Sequence, residues 1–178
     1  MMAPIVAATI QGFIDAGRNG NTTAVQGRAL EDLICYVMQQ IPGVAITHRN
    51  ELNAFETEEI DVAVWNDGPG DGLFFLPNII LIECKNWSHR VGGAEVNWFD
   101  SKLRSRGLAF GILVTTLGIT GEAADVTAAH AIVAAALREG RKLVVLTTDE
   151  LLATGNTEDL IRLIKRKLCD LAVKGTVA

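Results

Sequence analysis

The densest chemistry in this sequence lies in three consecutive residues, Glu83, Cys84 and Lys85. In an extended strand successive side chains alternate between faces, so the carboxylate and the ammonium emerge together while Cys84 faces the other way. The triplet ends a nearly continuous apolar run, Ile79 to Ile82, of the kind found in strands covered on both faces. A lysine at the buried end of such a strand needs an anion beside it, because an unpaired buried charge is costly. Glu-x-Lys alone carries little weight: roughly 0.6 occurrences are expected by chance in a chain of this length. Asp61 sharpens it, since it lies on the preceding strand and is joined to this one by a turn. If the two strands pair, Asp61 and Glu83 set hard oxygen ligands around one cation, with Lys85 beside it. That set suits Mg²⁺, which takes a few carboxylates, waters and phosphate oxygens.

The elements that must position these groups follow from periodicity. Ile5, Ile10, Phe13 and Ile14 recur at helical spacing and predict a first helix over residues 3–16, stopped from Gly17 onward. A second helix starts near Thr23 and runs to Gln40, with an apolar stripe of Leu30, Leu33, Ile34, Val37 and Ile41. Glu31 sits one residue off that stripe, at its edge, either on the surface or reaching inward. Residues 44–52 and 59–66 read as strands, and Asn66 to Gly72 is dense in turn residues. After the strand at 79–85 the pattern becomes βα alternation: helix 93–106, strand 109–115, helix 122–138, strand 143–148 and a last helix over 156–173. Antiparallel strands followed by strand–helix–strand crossovers predict an α/β fold, one mixed sheet flanked by helices.

The chain has 178 residues, 49% of them hydrophobic and 21% charged, which predicts a single globular domain over 1–178. Its net charge of −5 is unevenly spread, with no lysine or arginine between Arg49 and Lys85. Such an acidic block either stays in water or attracts a cation. Three widely spaced cysteines argue against a disulfide framework or a zinc site. The N-terminus lacks the features of a signal peptide, and no apolar run is long enough to cross a bilayer, so a reducing cytoplasm is the expected location. The absence of GxxxxGK[ST], GxSxG and HExxH removes the main support for P-loop, serine-hydrolase and zincin chemistry.

Taken in order, these residues resemble the PD-(D/E)xK, or restriction-endonuclease-like, metal nucleases, and their Mrr-like branch in particular. The resemblance covers about residues 24–150. It rests on Glu31 within Gly27-Arg28-Ala29-Leu30-Glu31-Asp32-Leu33, Asp61 within Glu58-Glu59-Ile60-Asp61-Val62, and Glu83-Cys84-Lys85-Asn86-Trp87. Phe110 to Thr115 and Leu143 to Leu146 are similar to the later strands of the family. Ile60 stands where the name pattern has proline. The resemblance implies an αβββαβ core with a C-terminal αβα extension, and an endonuclease that hydrolyses DNA with Mg²⁺, for which Mn²⁺ can substitute. In it Asp61, Glu83 and the Cys84 backbone carbonyl bind metal, Lys85 orients the attacking water, and Glu31 completes the catalytic set. It further implies a defence role against foreign DNA and action as a homodimer or with a partner subunit. A different reading keeps the fold as a non-cleaving nucleic-acid-binding or regulatory module.

Several other residues carry a functional and a bland reading. Arg90, Lys102, Arg104 and Arg106, near the motif, are expected on backbone phosphates, though solvated helix charges look the same. Glu59 shares the Asp61 face by alternation and is a peripheral candidate, while Glu58 is expected in solvent. Trp98 with Leu103 is expected in the core. Arg141 and Lys167 are expected on the surface, and Cys84 as a small core residue behind the site.

Overall fold

A computed structural model of the chain describes residues 3–121 and 128–177. Five strands form one sheet in the order β1-β2-β3-β4-β5: β1 (Val44–Leu52), β2 (Glu59–Asn66), β3 (Ile79–Lys85), β4 (Phe110–Thr115) and β5 (Lys142–Thr147). The first three are antiparallel and the last three parallel, so the sheet is mixed as expected. The helices are α1 (Ala7–Asn19), α2 (Thr23–Gln39), α3 (Gly93–Ser105), α4 (Ala128–Arg138), α5 (Thr148–Leu152) and α6 (Thr157–Lys174). Among the described residues no helix is long and apolar enough to cross a membrane.

Alternation along β3 divides the interior. Ile80, Ile82 and Cys84 join one apolar cluster with Leu33, Ile34 and Met38 of α2, Ile10 and Ile14 of α1, and Leu160 and Ile164 of α6. Leu81, on the other face, joins Phe99 and Leu103 of α3, Val133 and Ala136 of α4, and Leu113 and Val145. The central strands are therefore covered on both sides, which is why β3 and β4 read as continuous apolar runs. Gly111 on β4 is needed for the close approach of α3, because a Cβ there would lie 2.7 Å from Phe99 Cζ and 2.8 Å from Leu103 Cδ1.

The structure departs from the sequence reading in a few places. The first helix runs past Gly17, where the expected stop falls; the glycine serves a close approach instead, packing against Asn86 and Ala29 with no room for a side chain. Residues 122–127 of the expected fourth helix lie outside the described residues, and α4 is described from Ala128. A short α5 follows β5 directly, started by a capping box in which Thr147 and Glu150 satisfy each other's backbone N–H groups. The segment before α1 is strapped to the start of α6: the Ile5 N–H donates to the Gly155 carbonyl at 3.1 Å, and the Thr157 N–H to the Ala3 carbonyl at 3.0 Å.

Candidate active site

The β2–β3 ladder ends at Val62 opposite Ile82, and one further step in that register sets Asp61 opposite Glu83. There a side chain replaces the ladder, since the Cys84 N–H donates to Asp61 Oδ2 at 2.7 Å. The bond fixes the Asp61 carboxylate against the end of β3. Glu83 is 2% exposed on the face that carries Leu81, and Lys85, two residues on, shares that face. Lys85 Nζ lies 2.7 Å from Glu83 Oε1. Cys84 points into the opposite cluster and is 9% exposed, the core position expected of it, and burial pushes its thiol pKa well up.

Electrostatics at this spot are those of crowded carboxylates. Burial, followed by repulsion from Glu83, raises the Asp61 pKa from 3.8 to about 6, against the opposing pull of the Cys84 N–H, Lys85 and Lys102. For Lys85 burial opposes the charge, but Glu83 and Asp61 more than offset it and its pKa rises.

Lys102 is a correction to the expected phosphate contacts. It is 3% exposed, and its ammonium sits 2.6 Å from Glu83 Oε2. The physical reason is helical spacing: residue 102 is three beyond Phe99, on the inward side of α3, so its stem runs along the core and its head reaches Glu83, close enough to act on Asp61 as well. Arg106 donates to Glu58 Oε2 at 2.7 Å, which ties α3 to the start of β2 and takes Glu58 out of open solvent. Arg104 is exposed, between Asp100 and Glu139. Arg90 makes no ion pair among the described residues and lines a cleft of about 400 Å³ with Gly118, His130, Thr147 and Lys167. Arg141 and Lys167, expected on the surface, are buried on Asp100 and Glu150. Trp98, expected in the core, is 50% exposed.

Glu31 does turn inward, to 8% exposure, yet on the α2 side of the sheet. Its Oε2 accepts from Asn50 Nδ2 at 2.8 Å and Arg49 Nη2 at 3.4 Å. Asn50 reaches it from a left-handed backbone conformation, φ 49°, that asparagine tolerates better than most residues. Glu59 is exposed, opposite Leu52 in the β1–β2 register. The structure thus brings Asp61, Glu83, Lys85 and Lys102 together, leaves Glu59 exposed, and holds Glu31 on Asn50 and Arg49, from where it adds to burial in raising the Cys84 thiol pKa alongside Asp61 and Glu83. Among the described residues no three His, Cys, Asp or Glu side chains are grouped to hold a metal ion by themselves. Sequence reading missed Asn50 and the place of Asn86, which joins α2 to the loop after β4 by donating to the Gln26 carbonyl and accepting from Thr116.

Residues 22–152 match a family model, Mrr_cat, described as a restriction endonuclease. No curated protein matches the chain. Among solved structures, a DNA modification-dependent restriction endonuclease, AspBHI, is similar at 15% identity and a TM-score of 0.44, over 90% of this chain and 37% of that one. A second, AF1548, titled a protein of unknown function, is similar at 17% identity and a TM-score of 0.39, over 83% of this chain and 77% of that one. The chain therefore spans well under half of the AspBHI length.

Proposed function

This chain belongs to the restriction endonuclease family that the Mrr_cat match defines, and from that premise we propose that it is a Mg²⁺-dependent DNA endonuclease whose active site is Asp61, Glu83 and Lys85. One observation carries the reading: two carboxylates crowded at the end of β3, the Asp61 pKa lifted to about 6, with Lys85 against them. Asp61, Glu83 and the Cys84 carbonyl would hold the metal, because Mg²⁺ needs only one or two carboxylates when waters and phosphate oxygens complete its shell. Bound there, it supplies Lewis acidity to the scissile phosphate and acidifies a water.

The remaining roles fall to the chain. Cys84 N–H holds the Asp61 carboxylate in place, so the site is set before substrate arrives. Lys85, anchored on Glu83, presents its ammonium to a water and to the negative charge that grows on the phosphate oxygens during attack. Glu31, on the other side of the sheet, positions rather than ligates: with Arg49 and Asn50 it ties α2 to β1. Arg90 contacts backbone phosphates. Defence against foreign DNA is the setting we infer, with the chain acting as a homodimer or with a partner subunit, because a double-strand break needs two sites. The three free cysteines fit a reducing cytoplasm.

Supercoiled plasmid incubated with the full chain tests this. Nicking is expected with Mg²⁺ or Mn²⁺, is abolished by EDTA, and falls about a hundredfold or more in Asp61→Ala and Lys85→Ala. DNA binding without cutting, unchanged by either substitution, would identify a non-cleaving module instead.

A further inference from the structure

Glu83 is held by two cations at once. Lys85 Nζ lies 2.7 Å from Oε1 and Lys102 Nζ 2.6 Å from Oε2, and Lys102 comes from a different element, with 3% of its surface exposed. A single lysine would balance the charge of the carboxylate. We propose that Lys102 is a positioning residue that keeps the site electrically neutral, so that a divalent cation is captured together with a substrate phosphate rather than before it. This rests on the metal-nuclease reading of the same site.

Charge balance gives the argument. Ionised Asp61 and Glu83 bring two negative charges, and Lys85 and Lys102 bring two positive ones. A divalent cation approaching that set meets no net attraction, and both Glu83 oxygens already accept from ammonium groups. A phosphodiester adds the missing negative charge, and the cation and the DNA then favour each other reciprocally. Without the Lys102 charge the site is net negative and attracts the cation unaided. A merely structural Lys102 predicts the opposite sign, since a Glu83 that has lost its anchor would bind the ion less well.

The measurement is Mn²⁺ binding by calorimetry on the full chain, counting only heat that vanishes in Asp61→Ala, with and without a short DNA duplex carrying uncleavable phosphorothioate linkages. Wild-type protein should bind Mn²⁺ weakly alone and about tenfold more tightly with the duplex. Lys102→Met should bind about tenfold more tightly than wild type without DNA and gain little from the duplex. Lys102→Gln, which keeps a donor to Glu83 without the charge, should behave alike and carries the test if the methionine variant does not fold. Lys102→Arg should follow wild type. Neutral variants that bind no more tightly than wild type, or wild-type binding indifferent to DNA, overturn the role of Lys102 while leaving the metal site standing. Absence of Asp61-dependent binding in every arm overturns the metal site and the inference with it.

Discussion

Asp61 ionises at a cost that the fold itself imposes. Its carboxyl has a pKa of about 6 in the folded chain against 3.8 free, so between those values the folded state holds a proton that the unfolded state has lost. Stability contributed by this group is therefore lost as pH rises from about 4 to 6, and above that the full penalty remains. Asp61→Asn should raise the melting midpoint near neutral pH by about 2–6 °C, an effect of about 1–2 kcal/mol, and flatten the profile across that window. Differential scanning calorimetry checks both; a midpoint lowered by the substitution would contradict the crowding described. The cysteines provide a second expectation. Cys35 is buried, and its thiol is pushed up to about 11 chiefly by burial, Cys84 is buried likewise, and Cys169 is exposed. Native protein should therefore consume one equivalent of a thiol reagent quickly, at Cys169, and the other two only in denaturant.

Between elements, the contact of α3 with β4 decides whether Lys102 reaches Glu83. A Gly111→Ala methyl would press on Phe99 and Leu103, both essentially fully buried. The overpacking should cost about 1–3 kcal/mol in a urea titration and displace α3 enough to reduce nicking. An unchanged denaturation midpoint would mean that the helix tolerates the shift. The strand and helix order was legible because β3, β4 and the helix stripes each carry one clear period. The tripeptide and its pairing with Asp61 were legible for the same reason: alternation places side chains on faces. The place of Lys102 was not, because a lysine three residues from Phe99 reads equally as a snorkelling surface charge and as a buried cation. Whether an anion waits at the end of its stem is a tertiary fact. Glu31 shows the same limit, since periodicity put it at the edge of α2 but said nothing of Arg49 and Asn50, which hold its carboxylate.

Across the molecule, much of the basic charge is tied up in internal ion pairs, and the excess of acid over base is left standing. Glu83 is neutralised by two lysines, Glu58 by Arg106, Asp100 by Arg141 and Arg104, and Glu31 and Asp32 by Arg49. These pairs remove cations from the surface as well, leaving few to meet a phosphate backbone. The isolated chain should bind duplex DNA weakly, with a shallow slope of log K against log salt because few phosphates are neutralised. Arg90→Ala should lower the affinity further and reduce the slope of log K against log salt by about one, with little change in melting midpoint, as read by fluorescence anisotropy. An unaltered slope would place DNA elsewhere.

The strap between Ala3–Ile5 and Gly155–Thr157 has a temporal consequence. Its halves are 154 residues apart in sequence, so Ala3–Ile5 stay unlatched during synthesis until Gly155–Thr157 have been made. Whatever order the sheet assembles in, a nascent chain stalled before Gly155 lacks both the strap and the α6 residues Leu160 and Ile164 that complete the cluster holding Ile10 and Ile14.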